Sequence, residues 1–315
     1  MATRPRGLEI IERVRAGEIL VFDGAYGTAL FEAGLSDGHC PELWNDTRPD
    51  VVRGIHKAYF DAGSDVVETN TFGASRLKLK EYNERYGYAV TDRTRELNEK
   101  GARLARSVCP PGGWVAGSIG PTSAVPADYG VGDNIATDEE YFETFKEQAE
   151  ALADGGVDIF AVETMMFPQE AIAAIRACKA VTDLPVTATM FFNYEQPLDR
   201  DRSMWGESPA EVARTLLTAG ADVVGMNCGY GPPSRAAVII REMRTVTDGP
   251  LIAYPNAGLP VVKGDVTTYE LGPDAMAKDY PALLDAGCSI VGACCGSGSE
   301  HIRLIAEVVR SRRPR

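Results

Sequence analysis

Three cysteines have the residue type and the spacing to do chemistry: Cys228 in Met226-Asn227-Cys228-Gly229, and the adjacent pair in Gly292-Ala293-Cys294-Cys295-Gly296. Each group stands where an apolar, β-like run stops, Val223 to Met226 in one case and Ile290 to Ala293 in the other. The neighbouring glycines let the backbone turn sharply and approach a ligand closely. Three thiolates converging at strand ends make an incomplete tetrahedron. A zinc ion held by them keeps its fourth position open, the mark of a catalytic rather than a structural site. Two plainer readings stand beside this one. Cysteine is among the most buried residue types and often only fills space, and a vicinal pair can close as a strained disulfide. Space filling suffices for Cys109, for Cys178 in the helical run Ala171 to Val181, and for Cys288 in a turn. Cys40 sits in a long loop without a partner pattern.

Adjacent residues in a regular strand face opposite ways, so Cys294 and Cys295 reach one ion only if the strand breaks, which Gly296 permits. Ser297 and Glu300 have the spacing of a helix capping box. The pair is therefore expected just before a helix N-terminus, whose partial positive charge favours thiolate. No histidine joins the set: His39 and His56 are far upstream, and His301 falls inside the capping turn.

The elements that must position these sulfurs follow a repeating order. Eight short β-branched runs begin near Ile19, Asp65, Trp114, Asp158, Pro185, Val223, Leu251 and Ser289, with amphipathic helical pattern between them. Val51, Val52, Ile55, Ala58, Tyr59 and Ala62 recur at helical spacing, as do Val212, Leu216, Leu217 and Ala219. The junctions repeat one device: Ala62-Gly63-Ser64-Asp65, Gly155-Gly156-Val157-Asp158, Ala219-Gly220-Ala221-Asp222 and Ala286-Gly287-Cys288-Ser289. A helix ends at a glycine free to take positive φ, and a strand starts just after it. Longer insertions follow the first, third and fifth runs, over Gly24–Arg48, Gly117–Asp138 and Phe192–Ser208. The pattern predicts a single (β/α)8 TIM barrel spanning 1–315 in preference to a doubly wound open sheet, with the chemistry at the carboxyl ends of the strands.

Composition narrows the function classes. Lys and Arg number 32 against 45 Asp and Glu, a formal charge of −13, so nucleic acid and anionic membrane surfaces are not expected partners. The basic cluster Arg310, Arg312, Arg313 and Arg315 reads as favourable charge at the end of the last helix. No apolar stretch approaches the ~20 residues that span a bilayer, and the mixed pattern of Met1 to Gly17 is not a signal peptide. Seven cysteines, an odd number in a chain this long, suit a reducing compartment. A cytoplasmic protein is expected.

The ordered motifs resemble the homocysteine S-methyltransferases, and within that family the homocysteine-binding module of cobalamin-dependent methionine synthase. They are Asp23-Gly24-Ala25-Tyr26-Gly27-Thr28, Glu68-Thr69-Asn70-Thr71-Phe72-Gly73-Ala74, Gly117-Ser118-Ile119-Gly120-Pro121-Thr122, Val162-Glu163-Thr164, Met226-Asn227-Cys228-Gly229, Pro255-Asn256-Ala257-Gly258 and Gly292-Ala293-Cys294-Cys295-Gly296. The resemblance implies one zinc ion per chain bound by Cys228, Cys294 and Cys295, with the sulfur of homocysteine at the open position. A free thiol with a pKa of about 8.5 is mostly protonated at neutral pH, whereas a coordinated thiol is not. Glu163 and Asp23 are implied as the groups that hold the substrate ammonium, and backbone N–H groups near Gly24 or Gly120 as partners of its carboxylate. Asn256 matches the amide that occupies the metal without substrate. Asn70 either lines the same pocket or plugs it by bonding loop backbone.

The chain departs from that branch after the fifth run, in Asp199-Arg200-Asp201-Arg202-Ser203-Met204-Trp205-Gly206-Glu207, and in the loop Val125 to Asp138. Both rim the expected mouth, so the departure bears on the methyl donor. The 315 residues hold no D-x-H-x-x-G cobalamin signature, so the donor is expected to be a separate corrinoid protein or a small compound such as S-methylmethionine or betaine. Related readings are a corrinoid-linked methyltransferase or demethylase component with another acceptor, and a non-catalytic zinc- or thiol-binding regulatory module.

Overall fold

A computed structural model describes residues 5–36, 38–130, 132, 134–263 and 266–312. Eight parallel strands form one sheet: β1 (Leu20–Val21), β2 (Val66–Glu68), β3 (Trp114–Ile119), β4 (Ile159–Met165), β5 (Val186–Met190), β6 (Val223–Cys228), β7 (Leu251–Pro255) and β8 (Ile290–Val291). Each begins within one residue of its expected start. The ladder runs β1-β8-β7-β6-β5-β4-β3-β2, and its two ends meet. Asp65 N–H donates to the Val21 carbonyl at 2.7 Å. The Asp65 carboxylate accepts the Val21 N–H at 2.9 Å, and the Asp23 carboxylate accepts the Glu68 N–H at 2.7 Å. Side chains thus finish what the backbone ladder leaves open, and the sheet curls into a near-closed barrel ringed by helices.

The repeated junctions explain how. Gly63, Gly156, Gly220 and Gly287 take φ of 110°, 91°, 110° and 91°, the left-handed turn that only glycine adopts without strain. The aspartate that follows three of them is a strand clamp. Asp65, Asp158 and Asp222 each donate their N–H to the carbonyl of a neighbouring strand (Val21, Val115, Val186). Each then accepts the N–H of that same residue on its carboxylate, at 2.8–2.9 Å. The fourth junction has Ser289, which keeps only the backbone bond, to Leu251 at 2.8 Å.

The helix Gly7–Arg15 packs Ile10, Ile11 and Val14 against Leu20, Trp114 and Ile159 in the lower barrel interior. Burying each such side chain stabilises the fold by about 1.5–3 kcal/mol. Above this apolar layer the interior becomes polar, with Asp23, Glu68, Ser118, Glu163, Thr189 and Asn227 all buried. Polar groups accumulate at the carboxyl ends of the strands, where the barrel mouth lies.

The three expected insertions are present. The first carries helices Tyr26–Glu32 and Trp44–Thr47, the second the short paired strands Val125–Pro126 and Ile135–Ala136, the third the hairpin Asn193–Glu195 with Arg200–Arg202. A further hairpin, Pro260–Lys263 with Val266–Tyr269, follows β7 and was not anticipated. Its signal was present in two β-branched runs flanking Gly264-Asp265. The expected capping box is not formed. Ser297 is buried and donates instead to the Cys294 carbonyl at 2.7 Å. The last helix starts at Ser299, where the His301 imidazole accepts the Gly298 N–H at 3.2 Å, and Glu300 pairs with Arg303. Arg312 pairs with Asp285 at the end of that helix; Arg313 and Arg315 lie outside the described residues, as do Val131 and Asp133 of the second insertion. Among the described residues no helix is long and apolar enough to cross a membrane.

Two outcomes follow for stability. A Cβ on Gly220 would meet Lys179 and Ile175 only at ordinary contact distance, 3.8 and 4.0 Å, so Gly220→Ala costs little beyond the left-handed strain, about 1–2 kcal/mol. In Gly225→Ala the new Cβ lies 1.7 Å from the Ile252 carbonyl oxygen, so β6 and β7 must separate and the loss is larger. Denaturant midpoints that rank the two the other way contradict this packing.

Glu170 pins the second insertion by accepting both the N–H and the hydroxyl of Thr122 at 2.7 Å. Burial pushes its carboxyl up to about 7 against those bonds. The unfolded chain ionises this group near about 4.3, so between the two values the folded state binds more protons and its stability falls as pH rises. Stability relative to Glu170→Gln is therefore greatest below about pH 4.3 and declines through pH 7. Parallel denaturation profiles for the two proteins from pH 4 to 8 would refute the assignment.

Candidate metal centre

β6 ends in Asn227 and Cys228, and Cys228 takes φ of 53°. That left-handed conformation is uncommon for a residue with a side chain, and Gly229, at 100°, continues the reversal. β8 stops at Val291, so Cys294 and Cys295 occupy the turn beyond it. Gly296, at φ 81°, completes that turn. It also lets Tyr269 of the unanticipated hairpin lie against the backbone, where a Cβ would stand 2.2 Å from the tyrosine's own. The strand break expected from Gly296 is therefore real, and it brings both thiols to one side.

The sulfurs meet. Cys228 Sγ is 2.7 Å from Cys294 Sγ and 3.8 Å from Cys295 Sγ, and the adjacent pair are 4.0 Å apart. A tetrahedron with zinc–sulfur bonds of about 2.3 Å has edges of about 3.8 Å, so two of the three edges already have that length. Cys295 is held below the usual thiol range by hydrogen bonds from Cys228 and Cys294, while Cys294 is pushed up by its bonds to Cys228 and Cys295 and by burial. One thiolate is what such a cluster tolerates without a cation. The set of three soft donors is a candidate metal site, and no histidine belongs to it. His301 caps the last helix, and His56 bonds the Tyr26 hydroxyl.

Asn227, which the sequence marked only as part of a motif, organises the site. Its Oδ1 accepts the Thr164 N–H at 2.7 Å and the Thr189 hydroxyl at 2.6 Å. Its Nδ2 donates to Thr164 Oγ1 at 2.6 Å and lies 3.8 Å from Cys294 Sγ. Thr164 has φ of 57°, a genuine outlier for a β-branched residue, and Asn227 holds both its backbone and its side chain there.

Beside the sulfurs opens a cavity of about 330 Å³ lined by Gly24, Glu68, Asn70, Glu163 and the three cysteines. Glu163 accepts the Ser118 hydroxyl at 2.5 Å; burial, then the Cys295 thiolate, raises its carboxyl to about 7. Asp23 is buried and is not among the residues lining the cavity; burial, together with the nearby charge of Glu163, raises it to about 8. Glu68, which sequence reasoning quoted but gave no role, is pushed well above the carboxylate range by burial and by both acids. Its Oε1 has no partner among the described residues. None of the three acids has a cationic partner among the described residues. Lys78, the one cation in the described cavity lining, is engaged with Glu81 and Ser123, each at 2.6 Å.

The remaining expected residues divide. Gly24 lines the cavity and approaches Ser297 and Tyr59 too closely for a side chain. Gly120 does not offer a free N–H, because its amide donates to the Phe72 carbonyl at 2.9 Å. Asn70 donates to the Pro41 carbonyl and to Asn45 Oδ1, both at 3.0 Å, so it lines the cavity and also ties its loops together. Asn256 is buried, is not among the residues lining the cavity, donates to the Gly229 carbonyl at 3.2 Å, and has an Oδ1 with no partner among the described residues. Cys40 is buried against Glu42 at 3.2 Å. Tyr26 and Tyr254 complete the wall; neither was singled out beforehand, because an isolated tyrosine carries no spacing signal.

On the rim, Trp205 packs on Tyr129 and Phe167 with ring centroids 4.2 and 5.1 Å apart. It remains 44% exposed among exposed Met166, Leu198, Met204 and Tyr230.

Comparison with known proteins agrees with this geometry. Residues 20–309 match the family described as homocysteine S-methyltransferase. The chain is 32% identical to methionine synthases of Mycobacterium leprae and Mycobacterium tuberculosis over 93% and 94% of its length. It spans about a quarter of those relatives, 24% and 25% of their chains. A crystal structure of the homocysteine methyltransferase MmuM from Escherichia coli in its metallated form superposes with a TM-score of 0.72 at 23% identity, covering 92% of this chain and 96% of that one, a likeness of fold. The strand-end motifs, the barrel and the three-sulfur cluster thus converge, and the chain belongs to the homocysteine S-methyltransferase family.

Proposed function

We propose that the chain, as a single barrel domain over 1–315, is a zinc-dependent enzyme that methylates homocysteine to methionine. The observation that carries this reading is the meeting of three cysteine sulfurs with three buried carboxyl groups that have no cationic partner among the described residues. A soft three-sulfur set takes a zinc ion and leaves room for one more sulfur. An uncompensated acid cluster takes an ammonium group. Homocysteine carries both.

Zinc bound by Cys228, Cys294 and Cys295 supplies the Lewis acidity that keeps an arriving thiol deprotonated near neutral pH. The chain does the rest. Glu163 and Asp23 accept hydrogen bonds from the substrate ammonium and fix the orientation of its carbon chain. Gly24 is the backbone donor left for the substrate carboxylate, since Gly120 is occupied. Asn70 orders the cavity roof. Asn256, whose Oδ1 has no partner among the described residues, would offer zinc an oxygen ligand in the absence of substrate. The substrate sulfur then forms the S–CH3 bond with its electron pair as the bond to the donor breaks in line and the donor leaves with its own pair.

The donor is proposed to be a methylated corrinoid carried by a separate protein. The exposed aromatic and aliphatic rim around Trp205 supports docking of a macromolecule. The resemblance to part of a longer methionine synthase points the same way. A small sulfonium donor such as S-methylmethionine is the second reading, favoured by the cavity of about 330 Å³ beside the thiols.

Purified protein is expected to carry about one zinc per chain, with three sulfurs around it by X-ray absorption and four after homocysteine is added. Two or fewer sulfurs without substrate would sink the metal assignment. Replacing Cys228, Cys294 or Cys295 by Ala should abolish metal binding with the far-ultraviolet spectrum unchanged. Glu163→Gln should weaken homocysteine binding about tenfold or more, the worth of one charge-assisted bond of about 1.5–3 kcal/mol, and spare a thiol lacking the amine. Equal losses for both thiols assign Glu163 to structure alone. Trp205→Ala should slow methyl transfer from a methylated corrinoid protein while leaving zinc content and homocysteine affinity intact. Turnover of S-methylmethionine at micromolar concentration, with none from the corrinoid protein, decides for the second reading.

A further inference from the structure

His56 is the one histidine with no exposure at all, and the proposed reaction does not use it. It sits on the helix Pro49–Ala62 with its Nδ1 2.5 Å from the hydroxyl of Tyr26. The rings lie 5.1 Å apart at 51°, and Tyr59 braces Tyr26 from another side, edge-on at 5.7 Å. Tyr26 stands three residues after Asp23 at the start of its own short helix and lines the cavity beside the thiols. A hydroxyl has one proton and two lone pairs. Burial holds His56 neutral, its value down to about 3, so one ring nitrogen is a base. Between a phenol and a neutral imidazole the phenol is the stronger acid and the imidazole nitrogen the stronger base. This ordering puts the proton of the bond on Tyr26, with His56 accepting it at Nδ1 and carrying its own proton on Nε2, which has no partner among the described residues. The phenol oxygen is then left with lone pairs only.

This adds one more acceptor to a wall already short of donors. Asp23 has the Glu68 N–H, Glu163 has the Ser118 hydroxyl, and Glu68 Oε1 has no partner among the described residues. A primary ammonium has three N–H bonds to place; Glu68 is pushed toward its neutral form, which leaves Asp23 and Glu163 as the carboxylates that offer it two. We infer that Tyr26 supplies the third acceptor for the amino group of the substrate, and that His56 is the positioning residue that turns the hydroxyl proton away from the cavity. The inference rests on the proposed acceptor being an amino-acid thiol, and it restricts that acceptor to a primary amine.

The test is a binding measurement that needs no methyl donor. Zinc-loaded protein is titrated calorimetrically with homocysteine, and in parallel with 4-mercaptobutanoate, which has the same thiol and carboxylate but no amine. Tyr26→Phe keeps the ring and its packing and removes only the oxygen. It should weaken homocysteine about tenfold and leave 4-mercaptobutanoate within twofold of the unchanged protein. His56→Phe should produce the same selective loss by freeing the hydroxyl proton, and His56→Asn, whose side-chain oxygen can accept that proton, should restore part of it. Nitrogen-15 spectra of histidine-labelled protein should show His56 protonated at Nε2 and bare at Nδ1. Unchanged homocysteine affinity in Tyr26→Phe, equal losses for both thiols, or a proton on His56 Nδ1 overturns the inference while leaving the methyltransferase proposal intact. Failure of the unchanged protein to prefer homocysteine over 4-mercaptobutanoate removes the basis of both.

Discussion

Acidic groups crowd into the upper barrel, and among the described residues no cation pairs with them. Three thiols lie within 4.0 Å of one another, and Asp23, Glu68 and Glu163 are buried next to them. Burial and mutual repulsion push most of these groups toward their neutral forms, and only Cys295 is pulled the other way. Such an arrangement is costly on its own, because buried charge of one sign is neither solvated nor paired. Positive ligands offset that cost, and the cluster offers two kinds of place for them, one soft and one hard. The rest of the molecule holds this arrangement against its tendency to relax.

The barrel does the holding by dividing labour between its ends. At the bottom, left-handed glycines and aspartate clamps fix the strand starts, and an apolar plug from the helix Gly7–Arg15 fills the interior. At the top the backbone departs from regular geometry where the chemistry lies. Cys228 and Thr164 both sit at positive φ, and the Asn227 amide holds Thr164 there. Strain of this kind costs about 1–3 kcal/mol per residue and persists only where surrounding bonds over-determine it. Asn227 is that over-determination. It spends one side chain on the backbone and hydroxyl of Thr164 in β4, on Thr189 in the intervening β5, and on the environment of Cys294.

The two halves of the mouth differ in character. The loops after β1 and β2 enclose the cavity with Gly24, Asn70 and Tyr26, and their polar atoms bond one another. The loops after β3 to β6 expose aromatic and aliphatic side chains around Trp205. An enclosed polar side suits selection of a small zwitterion, and an open apolar side suits contact with a larger body.

Much of this was written in the chain. Strand starts, the left-handed junction glycines and the break after β8 are local properties. Hydrophobic period, glycine placement and β-branched runs determine them within a few residues, and they needed no partner from elsewhere. The three cysteines were legible as reactive residue types at strand ends, whereas Asp23 and Glu163 drew their expected roles from the family resemblance. Other features belong to tertiary structure alone. Ser297 abandoned a capping box that its spacing allowed, because the Cys294 carbonyl lay within its reach and its hydroxyl was buried against the Ala25 N–H. Gly120 lost its donor to Phe72, and Asn227 and Tyr26 gained their importance from partners 63 and 30 residues away. A hydrogen bond between distant residues leaves no period or spacing in the sequence, since it depends on where the folded chain brings two polar groups and removes water from both. Charge state is decided the same way, by burial that only the assembled barrel creates.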